Sequence, residues 1–159
     1  RRHTRWNCSS RGLGDVYKRQ VQEMLRIEKI FDAEGIMEEL GAYNPLIPDG
    51  SNLKCTAMIE FGDVGLRKKR LAEMVGIENR VWARVDGYEK VFAISNEDLE
   101  RSTDEKTSAV HFMRFEFTRD MINELLGGAD LEFGSDHENY LHSVTAPEKV
   151  CQALAGDFT

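Results

Sequence analysis

The chain has 159 residues, 41% hydrophobic and 31% charged, with a formal net charge of −7, a composition that suits one folded domain and lies far from the disordered class. No apolar run approaches the ~20 residues that cross a bilayer, and the start lacks the apolar segment of a secretory signal. Three scattered cysteines, Cys8, Cys55 and Cys151, suggest neither a disulfide framework nor a zinc ribbon, so a reducing cytoplasm is the expected location.

In chain order, residues 1–20 come first and stand apart. They hold six of the 21 Lys and Arg (Arg1, Arg2, Arg5, Arg11, Lys18, Arg19) against one acid, Asp15, which leaves 15 bases against 27 acids in the remainder. A net −12 over residues 21–159 repels a phosphate backbone, so nucleic acid is not an expected partner of the folded part. The run from Ser9 to Gln20 resembles sequence found at the ends of translated metagenomic fragments, where library adapter was read as coding. Residues 1–20 are therefore expected to form a non-native, disordered leader, and residues 21–159 a single domain.

Val21, Met24, Leu25, Ile27, Ile30 and Phe31 fall at helical spacing and predict a helix over 21–33, broken by Gly35 and followed by a short helical piece over 36–40. The Pro-, Asn- and Gly-rich run 43–50 reads as loop, and 53–61 alternates as a strand. Asp63 is a candidate N-cap for a helix to Val75, stopped by Gly76, with the basic turn Arg67-Lys68-Lys69-Arg70 as a solvated face. Asp86-Gly87 between two β-forming runs, 81–85 and 88–94, predicts a hairpin in which both turn residues take positive φ. A charged loop over 97–106 precedes strand-like alternation over 108–117, with Ala109, His111, Met113, Phe115 and Phe117 on the core face. Thr118 caps a helix that Gly127-Gly128 ends, 131–134 reads as a short strand, 136–143 as a polar segment, and Thr145 with Glu148 as a capping box for a last helix to Leu154. Several antiparallel strands with interspersed helices, and no Gly-rich βα turn, predict an α+β fold with a mostly antiparallel sheet.

Four stretches carry a resemblance: 21–28 (VQEMLRIE), 43–48 (YNPLIP), 107–115 (TSAVHFMRF) and 136–142 (DHENYLH). With them the chain resembles an uncharacterised bacterial family, the domain of unknown function 3501, over essentially all of residues 21–159. Members of that family begin with a further stretch that includes a strand, so the resemblance implies an N-terminal truncation and a sheet lacking one strand. It also implies a setting beside rubrerythrin-like and iron–sulfur-binding proteins, hence a possible protein partner of that type and a link to iron or redox stress.

The candidate site residues lie in the same stretches. His111, His137 and His142, with Glu23 or Glu28 as carboxylate, form a donor set that suits iron or zinc. The competing reading is structural: Asp136 and His137 hydrogen-bond a turn, Tyr140 packs, His142 is exposed, and His111 is a core histidine bonded to backbone or to a carboxylate. Glu23 and Arg26 sit three apart on a helix and can form a surface ion pair. Tyr43, Asn44, Arg114, Asp136 and Tyr140 complete the polar candidates, Arg114 as an anion ligand or a cross-strand partner of an acid. Cys55 and Cys151 read as small core residues. No serine elbow, phosphate loop or dinucleotide fingerprint is present. The sequence therefore leaves three functions open: an accessory or binding protein in an iron- or redox-linked setting, a metal-dependent enzyme with a His and carboxylate site, and a structural subunit that pairs through a sheet edge.

Overall fold

The computed structural model of the chain describes residues 4–8, 22–23, 25–27, 29–43, 49–97, 102–103 and 105–158. In chain order they form β1 (Thr4–Cys8), α1 (Ala33–Tyr43), β2 (Asn52–Ile59), α2 (Val64–Glu73), a 3-10 turn (Ile77–Asn79), β3 (Val81–Val85), β4 (Val91–Phe92), β5 (Ile94–Ser95), β6 (Val110–Glu116), α3 (Arg119–Leu126), β7 (Leu131–His137), β8 (Tyr140–Thr145) and α4 (Glu148–Ala155). The strands make two antiparallel four-stranded sheets, β1-β2-β6-β5 and β4-β3-β7-β8, an α+β fold.

The two sheets join at a corner. The second arm of the predicted hairpin bends at Ala93, whose N–H donates to Val81 in one sheet, while Asn96 N–H donates to Phe112 in the other. Asn96 takes φ 55°, a left-handed conformation that Asn tolerates better than most residues. The Asp86-Gly87 turn is present, closed by Tyr88 N–H on Val85 O. Only Gly87 has positive φ, however, and pairing begins as far back as Ala83 with Val91, so the hairpin is wider than its two-residue signature predicts.

Period-2 alternation builds the core. Leu53, Cys55, Ala57 and Ile59 of β2, in register with Phe115, Met113 and His111 of β6, are buried with Val81, Ala83 and Val85 of β3 and Leu131 and Phe133 of β7. Phe115 is fully buried and meets Phe133 edge-to-face at 6.0 Å, a burial that contributes about 1.5–3 kcal/mol. Met121, Ile122 and Leu125 of α3 join this core with Leu154 of α4, and Phe117 stacks edge-to-face on Phe158.

Several local expectations change. The break in the first helical region falls at Lys29 (φ 56°) and not at Gly35. Gly35 lies inside α1, because its N–H donates to Asp32 Oδ1 at 2.8 Å and Asp32 thereby caps the helix. The polar segment 136–143 is a hairpin, the end of β7 and most of β8, turning at Glu138-Asn139. Thr145 ends β8 and caps nothing; Pro147 occupies the N-cap of α4 without a side-chain hydrogen bond.

Thr4–Cys8, inside the segment read as a disordered leader, runs antiparallel to β2 with Cys8 opposite Cys55. The rest of residues 1–20 lies outside the described residues. Cys55 is disulfide-bonded, which overturns its reading as a free core thiol. The sequence offers no warning, because cross-strand adjacency is not visible in cysteine spacing. The argument from unpaired cysteines to a reducing location loses its premise with it. Among the described residues no helix is long and apolar enough to cross a membrane.

Candidate functional site

The inward-facing side of the first sheet carries His111, and that of the second carries His137 and, on β8 opposite Ser135, the exposed His142. On β6, alternation turns His111 inward beside Met113 and Phe115, where it is 1% exposed. Its Nε2 lies 3.1 Å from Ser108 O and 2.9 Å from Thr107 Oγ1, and its Nδ1 lies 3.2 Å from Asn96 Nδ2. A carbonyl can only accept, so Nε2 carries the proton; an amide nitrogen can only donate, so Nδ1 accepts from Asn96. Thr107 in turn donates to Glu78 Oε2 at 3.2 Å, which completes a buried chain from carboxylate through hydroxyl to imidazole. The core-histidine expectation describes this arrangement.

His137 is solved with backbone partners. Its Nε2 donates to Val75 O at 3.0 Å, and its Nδ1 accepts from Asn139 N–H at 3.2 Å. Asn139 Nδ2 donates to Glu73 O at 2.6 Å. The turn of the β7–β8 hairpin thus grips carbonyls at the C-terminal end of α2, groups that a helix end leaves without intrahelical partners. Sequence reasoning missed this clamp. The participants are 62 and 66 residues apart, and only the Gly76 stop hinted that carbonyls nearby would need donors.

The remaining candidates are scattered. His142 is exposed on β8, edge-on to Tyr140 at 6.1 Å. Tyr140, Ser135 and His111 border a void of about 10 Å³ with Ile77, Val81 and Met113, room for roughly one water molecule and not for a substrate. Glu23 and Arg26 are exposed and 3.8 Å apart, a surface pair. Glu28 and Asn44, and the side chain of Tyr43, lie outside the described residues. Among the described residues no group of three or more His, Cys, Asp or Glu side chains is placed to hold a metal ion.

Arg114 pairs with acids, but neither sits on a neighbouring strand: Glu97 follows β5 and Glu116 shares β6 with it. Arg114 holds Glu97 with two bonds, Nε to Oε2 at 2.9 Å and Nη2 to Oε1 at 2.7 Å, and also contacts Glu116, whose Oε1 accepts from Asn52. The Glu97 hydrogen bond is the main cause that raises the guanidinium pKa, and the same bond lowers that of Glu97. Asp136, on the outer face of the other sheet, accepts from Trp82 Nε1 at 2.8 Å and from Lys90 Nζ at 2.7 Å. Lys90, followed by Trp82, lowers its pKa. Lys90 also sits 4.3 Å above the Trp82 ring. The ring also lies close against Gly134, where an added Cβ would come within 2.3 Å of it.

These features define an α+β domain of two antiparallel sheets whose motif polar residues are mostly engaged by their own chain. The chain belongs to the family described as protein of unknown function (DUF3501), whose family model matches residues 15–158. It is similar to a solved structure from Burkholderia pseudomallei, a novel protein of unknown function, at 48% identity and a TM-score of 0.82, covering 99% of this chain and 81% of that one. No curated protein matches it.

Proposed function

We propose that this protein works by binding a protein partner and not by catalysis, as a small accessory protein in the iron- or redox-linked setting that its family resemblance implies. One observation carries the reading. A metal takes a neutral imidazole through a ring lone pair, and in both His111 and His137 that lone pair already accepts an N–H, from Asn96 and from Asn139. The small void beside His111 supports the same reading, since a catalytic site needs a cleft that admits substrate. A rubrerythrin-like or iron–sulfur-binding protein is the proposed partner type.

The test is elemental analysis of anaerobically purified protein with His137→Ala and His142→Ala alongside. Substoichiometric iron and zinc in all three, with a loss of stability confined to His137→Ala, is the expected result. Near-stoichiometric metal that disappears in both variants overturns the proposal and restores the metal-dependent enzyme.

A further inference from the structure

The β7–β8 ladder determines which backbone groups of β8 face outward. Ala146 N–H donates to Leu131 O at 2.8 Å, and Asp136 N–H points the other way, to Arg80 O at 2.9 Å. Backbone groups alternate along a strand, so residues 140, 142, 144 and 146 bond to β7, while Leu141, Ser143 and Thr145 direct their N–H and C=O groups away from it. Among the described residues no strand lies beyond β8.

Edge strands usually carry a lysine, a proline, an inward charge or a bulge that blocks further pairing. β8 has the sequence Tyr-Leu-His-Ser-Val-Thr, with no Lys, Arg, Asp, Glu or Pro, and keeps unbroken register with β7. Leu141 stands 71% exposed on it. Acids outnumber bases in the chain 28 to 21, yet the run 140–146 is free of Asp and Glu and is bounded by Asn139 and Pro147.

We infer that β8 is a self-pairing edge, and that its occupant is β8 of a second copy of this chain, antiparallel about a two-fold axis at Ser143. The three outward-facing residues are symmetric about Ser143, so that axis sets Leu141 against Thr145 of the second copy and Ser143 against its equivalent. About six backbone hydrogen bonds result, joining two four-stranded sheets into one. The side chains match in size in this register. Tyr140 faces the small Ala146 and His142 faces Val144, while charge is absent from all seven positions. Both copies carry the same formal net charge of −7, and the paired run holds no opposite charges to offset that repulsion. Added salt therefore strengthens the association, opposite to the behaviour of an interface held by ion pairs.

This inference stands apart from the proposed function, because it uses only the ladder geometry and the composition of the edge. It is tested by sedimentation velocity of the full chain from micromolar to submillimolar concentration, at low and moderate salt. Ser143→Pro removes an outward N–H and keeps the backbone bonds to β7, with Ser143→Ala as the control for the hydroxyl that hydrogen-bonds Glu132 on β7; Leu141→Lys adds a blocking charge, and far-ultraviolet circular dichroism confirms that each variant folds. A concentration-dependent dimer, tightened by salt and weakened at least about tenfold by either folded variant, is expected. A chain that stays monomeric throughout, or a dimer that both folded variants leave intact, overturns it.

Discussion

His111 and His137 are the same group solved in two ways. His111 relies on side chains and one backbone carbonyl, in a buried chain that runs back to Glu78. His137 relies on the backbone of Val75 and Asn139, at the rim where the β7–β8 turn meets α2. Loss of the first ring empties a fully buried position and orphans several polar groups together. Loss of the second unfastens a helix end that water can reach. Buried networks are therefore expensive to break, whereas backbone clamps fail locally.

The largest expected effect follows from that difference. His111→Ala leaves a cavity and strands the Asn96 amide and Ser108 O, and should destabilise the fold by about 3 kcal/mol in urea unfolding. His137→Ala should cost less, about 1–2 kcal/mol, and show a signature the first variant lacks: faster amide exchange confined to the C-terminal turn of α2. Equal losses of stability, or uniform exchange in His137→Ala, would break the contrast between network and clamp. Thr107→Val comes next, at about 1 kcal/mol, because it keeps the side-chain volume and removes only the hydroxyl between Glu78 and the ring.

The sequence made part of this legible. Strict alternation in β6 put His111 on the core face, and Asp63 and Thr118 announced the starts of α2 and α3 by the hydrogen bonds they make, Asp63 Oδ1 to Leu66 N and Thr118 Oγ1 to Met121 N. The clamp was not legible, because its acceptors are carbonyls remote in sequence and a carbonyl has no residue identity. β8 was read as polar for a related reason. An edge strand exposes most of its length, so the apolar periodicity that marks a half-buried strand is missing, and only Tyr140 and Val144 keep partial burial. The corner at Ala93 was hidden too, since the run 88–94 is locally a single β-forming stretch.

The smallest expected effect concerns the outer face beside the clamp, where Asp136 holds Trp82 and Lys90. Its pKa is lowered by Lys90 first and Trp82 second, so the sign is set: the stabilisation is present above the unfolded carboxyl pKa of about 3.9 and is lost as pH falls through the lower folded value. Lys90→Met removes the main cause of the shift. The side chains of Lys90 and Asp136 are 34% and 37% exposed, so the variant should lose only about 0.5 kcal/mol or less at neutral pH. Below the folded pKa the wild type has lost the same contribution, and the two proteins should unfold at the same urea concentration. Lys90 also lies over the Trp82 ring, and that contact does not depend on the carboxylate. A difference that persists at acid pH would therefore assign the role of Lys90 to the ring that Gly134 supports, and a difference that vanishes assigns it to Asp136.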